Sequence, residues 1–363
     1  MTRLARSEQA AGRPAARAAS VERPRSGGCK SAAARPSPAE VRAVPFPSPA
    51  PGSGCAAPCR EAAEPLCGTA PTATAGWLLI EHPGPWPAFG YPPDLPAALT
   101  ATAERLLRRG VRPQLIRRTD RAGRRGDGAR AVFVVGGSGG RRWVERVDPA
   151  LLTARKSERL LSPEAFCAPR TPSLGRPQGP LLLVCTHGRR EVCCARYGRP
   201  VALALAARFG PAVWETTHVG GDRFAANLVL LPQGAYFGRL DPGHAVRVAE
   251  RALAGELDLD AYRGTAGRSE ASQSAEWHLR RALDEPRIDA IRVLRPEAGD
   301  GGEAGDADGE ASAHRFARGH ERYSVIVEPY TYPDPRPLSC AAGTVQAPRG
   351  HRLVSLAAVT SGG

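Results

Sequence analysis

Residues 181–255 set short apolar runs and one longer amphipathic stretch in an order that few folds accept. The run Leu-Leu-Leu-Val at 181–184, bounded by Pro180 and Cys185, is too short for a helix and predicts a buried strand. Residues 200–209 predict a helix and 212–217 a second strand. Residues 227–231 and 235–240 flank Pro-Gln-Gly and predict a hairpin. Asp241-Pro242 then supplies a cap and a first-turn proline for a helix that stops at Gly255. The order β-α-β-β-β-α predicts a parallel crossover, an antiparallel hairpin and a closing helix.

That order is compatible with a thioredoxin-like unit, and the preceding residues repeat its rhythm. Residues 77–81 predict a strand stopped by His-Pro-Gly-Pro. Residues 94–109 place Leu95, Leu99, Ala103, Leu106 and Leu107 on one helical face, with Gly110 beyond the end. Residues 111–116, 131–135 and 142–147 predict strands. The expected fold is α/β, with tandem thioredoxin-like units over 55–175 and 176–263 and a small C-terminal β appendix over 264–363. In the appendix, 272–283 predict a helix, 288–294 a strand, and 323–328 a strand paired with 351–356. Residues 296–313 hold six acidic residues among Gly and Ala and predict a flexible loop.

The first 54 residues are Ala, Arg, Pro, Ser and Gly with few large apolar side chains, which predicts a disordered tail. The tail also explains much of the net charge of +14, because residues 1–60 carry ten basic and three acidic side chains. Aromatic residues are only 6%, too few for a base-stacking platform, so no nucleic-acid partner is expected. No run of 18 apolar residues exists, so no membrane association is expected. Nine irregularly spaced cysteines, with Cys193 and Cys194 adjacent, suit a reducing cytoplasm better than a secreted disulfide framework.

Cys185 directly follows a predicted strand, Cys194 lies eight intervening residues on, at the far end of a predicted loop, and His218 ends another strand. Gly220-Gly221 and Asp222 follow. Two thiols, an imidazole and a carboxylate on scaffolded loops form a donor set for a soft metal centre, and Arg189-Arg190 would offset thiolate charge. The same residues also fit buried reduced cysteines beside a turn histidine.

The region resembles the sucrase/ferredoxin-like family, whose members are thioredoxin-like 2Fe-2S ferredoxins. The family pattern is Cys, eight residues, Cys, a spacer, then His-x-Gly-Gly-His. Cys185, Cys194, His218, Gly220 and Gly221 match it, as do Trp214-Glu215, Arg223 to Asn227 and Pro232 to Gly238 around it. Residues 64–86 resemble the family's N-terminal half, so the resemblance spans roughly 55–263. Fainter echoes follow at Ser339-Cys340 and His351-Arg-Leu. The resemblance implies a non-catalytic electron carrier with a 2Fe-2S cluster, serving a redox partner protein. Cys185 and Cys194 would hold one iron, and His218 with Asp222 the other. Asp222 replaces the family's final histidine, and a carboxylate is a harder ligand, which leaves Cys193 as the alternative fourth ligand. A cluster-free or zinc-bound scaffold is the alternative reading of the whole chain.

Lesser motifs carry less. Gly-Gly-Ser-Gly-Gly at 136–140 matches a nucleophile elbow on Ser138, which would make a hydrolase. The alternating residues 141–147 predict a hairpin there instead. Asp306 and Asp308 are a fragment of a calcium loop, read as a solvated acidic linker. Cys55, Cys59 and Cys67 are loosely zinc-like without a nearby histidine. His187 is expected as an exposed loop residue, or as support behind the ligands.

Overall fold

The computed structural model describes residues 44–45, 54–120, 130–138, 141–153, 161–294, 310–342 and 344–359. The expected tail (apart from 44–45 and 54), residues 296–309 of the expected acidic loop, and Asp306 and Asp308 lie outside the described residues. The elements in chain order are β1 (Val44–Pro45), α1 (Ala56–Glu61), β2 (Gly76–Glu81), α2 (Ala97–Leu107), β3 (Val111–Arg117), β4 (Val132–Ser138) and β5 (Arg141–Val147). Then come α3 (Pro149–Thr153), α4 (Pro163–Cys167), β6 (Arg176–Pro177), β7 (Leu181–Cys185), α5 (Val192–Phe209), β8 (Val213–Thr216), β9 (Leu228–Leu231) and β10 (Ala235–Phe237). The chain continues with α6 (Pro242–Leu253), β11 (Tyr262–Thr265), α7 (Glu270–Leu283), β12 (Ile291–Leu294), β13 (Ser312–Arg318), β14 (Glu321–Thr331), β15 (Thr344–Val345) and β16 (Arg349–Ala358).

Ten strands form one mixed sheet in the order β11-β10-β9-β7-β8-β3-β2-β4-β5-β6. Its two halves follow one plan. In each, a strand crosses over through a helix to a parallel neighbour (β2 to β3 through α2, β7 to β8 through α5), and an antiparallel pair is added on the other side. The halves meet at their second strands, where β3 and β8 run antiparallel with Ile116 opposite Thr216 and Arg117 opposite Glu215.

Alternation along the strands sends side chains to two faces. One face of both halves contributes to a single core, with Trp77, Phe133, Leu183, Trp214, Val229 and Tyr236 among its members. The sheet therefore curls until its halves share an interior. Phe133 meets Trp214 edge-on across it at 5.6 Å. The opposite faces are covered by helices: α2, α3 and α4 over the first half, α5 and α6 over the second. A second, four-stranded sheet, β12-β13-β14-β16, packs Phe316, Val325 and Val327 against Ala271, Ala275 and Leu279 of α7. Val327 pairs with Leu353, as the alternation of both segments predicts. Among the described residues no helix is long and apolar enough to cross a membrane.

The largest difference from expectation is α5. It begins at Val192, eight residues before the proline where the sequence suggests a start. Pro200 lies inside the helix and on its exposed side, where solvent can satisfy the carbonyl left without the N–H that the ring lacks. Cys193 and Cys194 thus stand in a helical first turn, not on a loop. Ser138, by contrast, pairs with Arg141 in the β4–β5 hairpin, so the strand leads to another strand and not to an elbow helix.

One glycine decides how closely α5 crosses β7. A Cβ on Gly198 would lie 2.0 Å from the Cys185 carbonyl oxygen, a backbone atom that cannot swing aside. Gly198→Ala should therefore lever the helix off the strand and cost about 1–3 kcal/mol. A thermal midpoint unchanged by this substitution would show that the crossing relaxes freely.

Candidate metal centre

Strand β7 delivers Cys185 to the sheet end with 1% exposure, its N–H bonded to the Asn227 carbonyl at 3.1 Å. The next residue fixes the loop: Thr186 donates its hydroxyl to the fully buried Glu215 at 2.9 Å and its N–H to the Thr216 carbonyl at 3.2 Å. Glu215 also pairs with Arg117 across the β3–β8 seam at 2.7 Å. The loop returns at Glu191, and α5 presents Cys194, 1% exposed. His218 leaves β8, its carbonyl held by Arg112 and Gln114 at 3.3 Å each. The Cys185, Cys194 and His218 donor atoms all lie within 4.8 Å of one another, with Cys194 Sγ 3.8 Å from His218 Nδ1.

This geometry separates the protonation states of the two thiols. The Cys194 thiol, and then the His218 imidazole, favour a thiolate at Cys185 and hold it well below the ordinary value. That same charge and burial push Cys194 up. A thiophilic cation would hold both sulfurs as thiolates.

His187 corrects the expectation of an exposed residue. It is 6% exposed because Trp86 packs edge-on against it at 5.9 Å and the Pro87 carbonyl lies 2.9 Å from Nε2. A carbonyl only accepts, so Nε2 carries the proton. Nδ1 accepts from the His218 N–H at 3.3 Å. His187 is thereby fixed as a neutral tautomer that orients the ligand segment, and burial lowers its pKa in agreement.

Behind the glycines stands a residue that sequence reasoning missed. Arg263, 1% exposed, donates to the Gly220 carbonyl at 3.0 Å and to Asn227 Oδ1 at 2.8 Å. Asn227 in turn donates to the Gly221 carbonyl at 2.8 Å. Gly221 has φ +69°, and a Cβ there would fall 2.3 Å from the guanidinium. No local signal marks an arginine 42 positions downstream of this turn; it belongs to β11, itself unrecognised in the sequence.

Asp222 and Cys193 face a different group. Asp222 Oδ2 lies 3.0 Å from Cys55 Sγ and accepts the Cys340 N–H at 3.2 Å. Cys193, Cys55 and Cys340 place their sulfurs within 4.8 Å of one another. The loose trio Cys55, Cys59 and Cys67 is not gathered in this way: Cys59 donates instead to Glu64 at 3.2 Å. Glu191 completes the neighbourhood, accepting from Ser339 Oγ and the Cys340 N–H at 2.8 Å each.

Residues 92–264 match the model of a family described as sucrase/ferredoxin-like. No curated protein and no solved structure matches the chain.

Burial and the adjacent Asp222 carboxylate push Glu191 up to about 7, above its ordinary 4.5. A raised carboxyl favours the fold below its unfolded pKa, and that contribution is lost as pH rises through the folded value. Between pH 4.5 and 7 the metal-free protein should therefore lose stability that Glu191→Gln retains. Thermal midpoints of both proteins across that range test this, and a constant difference between them would refute it.

Proposed function

Residues 92–264 belong to the sucrase/ferredoxin-like family, and from that premise we propose that the chain is a non-catalytic electron carrier built around a 2Fe-2S cluster. The observation that carries the reading is the Cys185, Cys194 and His218 group, with its three donor atoms mutually within 4.8 Å. Two buried thiols, one already favoured as thiolate, and an imidazole are the donor types that cluster iron accepts. When bound, the cluster would supply one-electron transfer. Cys185 and Cys194 would hold one iron from a strand end and a helix start, and His218, two residues past β8, would hold the other. His218 is the most exposed of the three ligands, and a redox partner protein would approach the cluster from its side. Asp222 is the proposed fourth ligand and Cys193 its alternative. Either must turn from the neighbouring group to serve.

The twin strand orders of the half-sheets support a further reading as tandem thioredoxin-like units, 55–175 and 176–263, with 264–363 as an appendix. Among the described residues seven cysteines are free, six of them buried, and Cys167 is disulfide-bonded; the excess of free thiols suits a compartment that keeps thiols reduced, as the cytoplasm does. One geometric observation favours a second reading, a zinc-bound scaffold. Three donors within 4.8 Å also suit a single tetrahedral ion, whose Zn–S bonds of about 2.3 Å set neighbouring donors about 3.8 Å apart.

Protein reconstituted without oxygen should show visible charge-transfer bands and near-equal iron and labile sulfide. Cys194→Ala should abolish both, while Cys193→Ala keeps most of the cluster. Colourless protein holding only zinc establishes the second reading.

If Asp222 ligates, Asp222→His should raise the reduction potential, steepen its pH dependence and slow cluster loss. Potential, pH dependence and lifetime all left unmoved by Asp222→His and by Asp222→Ala would remove Asp222 from the ligand set.

A further inference from the structure

Cys55, Cys193 and Cys340 come from the start of α1, the first turn of α5 and the segment after β14, up to 285 positions apart in the chain. Their sulfurs nevertheless converge: Cys55 Sγ lies 3.4 Å from Cys340 Sγ and 4.0 Å from Cys193 Sγ. Those spacings bracket the roughly 3.8 Å edge of a tetrahedral zinc–thiolate site with bonds of about 2.3 Å. Cys55 and Cys193 are 0% and 1% exposed, and Cys340 closes the group from the half-buried side.

Charge supplies an independent observation. Glu191 and Asp222, each 5% exposed, border the trio, and both have an oxygen within 4.8 Å of the Cys340 sulfur. Their partners are the Ser339 hydroxyl, the Cys340 N–H, the Cys55 thiol and each other, and among the described residues no basic side chain forms an ion pair with either. Two buried carboxyl groups beside three thiols, with no cation in contact and Arg263 acting on Asp222 only from a distance, are costly to desolvate. A divalent ion offsets that cost directly.

We propose that Cys55, Cys193 and Cys340 form a second metal site, separate from the Cys185, Cys194 and His218 group, that takes a thiophilic divalent cation of the zinc type. The Glu191–Asp222 carboxylate pair supplies the fourth donor. Binding replaces each remaining S–H bond with an S–metal bond and releases that proton to solvent, and no electrons move. The site ties the segment at Cys55 and the segment at Cys340 to the helix that also carries Cys194. It stands when the first group is empty and when a cluster there is completed by Asp222, Glu191 then giving the fourth donor here; a cluster completed by Cys193 would take one of its thiols.

The test is Co2+ titration of the full chain, stripped of metal and kept from oxygen, as the Cys185→Ser/Cys194→Ser variant that lacks the sulfurs of the first group. One Co2+ per chain should bind, with near-ultraviolet sulfur-to-cobalt absorption that disappears when Cys55→Ser and Cys340→Ser are added. Absence of that absorption in the folded double variant, or its survival after the added substitutions, overturns the proposal. Should the double variant fail to fold, the wild-type chain decides. At one mild denaturant concentration, Zn2+ should slow alkylation of Cys55, Cys193 and Cys340 at least tenfold, mapped by mass spectrometry, and equal alkylation with and without Zn2+ overturns the proposal. Failure of the cluster reading registers separately, as absence of iron and labile sulfide.

Discussion

A single buried carboxylate links the two halves of the main sheet to the end that gathers the thiols and His218. Glu215 is 0% exposed, sits on β8 at the seam, and pairs with Arg117 of β3 at 2.7 Å. Its second task is to accept the Thr186 hydroxyl at 2.9 Å, which orients the chain just after Cys185. Removing Arg117 would leave Glu215 with the more distant Arg199 at 3.6 Å and the Thr186 hydroxyl, and breaking one side of a buried pair costs up to about 3–5 kcal/mol. The seam has only two paired positions, so the ion pair and the shared core, not ladder length, hold the halves in register. Everything at the site inherits its placement from that register.

Adjacent residues on a helix point about 100° apart. Cys194 therefore joins Cys185 and His218, while Cys193 turns to Cys55 and Cys340. Asp222 and Glu191 lie between the groups, and each helps to raise the pKa of Cys194 by charge. Protonation or ligation on one side thus alters the field on the other. Two donor groups share one helix start and one acidic pair.

Most strands from 77 to 240 were legible because each is a short apolar run cut by Pro, Gly or Asn, a signal that needs no partner to be read. The local part of the site was legible for the same reason, since Cys185, Cys194 and His218 sit at or near the ends of such runs. The start of α5 was not, because Pro200 outweighed weak amphipathicity, and in the structure helix packing overrides that penalty. The surroundings of Asp222 and Cys193 were illegible for a different reason. Their partners Cys55 and Cys340 flank the match at 92–264, and no periodicity connects them to it. His187 was misjudged because a short loop with Gly188 and two arginines has the composition of an exposed turn, while the cover it receives from Trp86 arrives from the other half of the sheet.

The two donor groups differ in when a growing chain can complete them. Cys194 and His218 are 24 positions apart and emerge from the ribosome almost together. Cys55 must wait for Cys340, 285 positions later. During synthesis, the N-terminal segment carries an exposed thiol while the local group already has its full set of nearby donors. The first group can assemble on a nascent chain, whereas the second must await Cys340, so its closure records that the segment after β14 has been made.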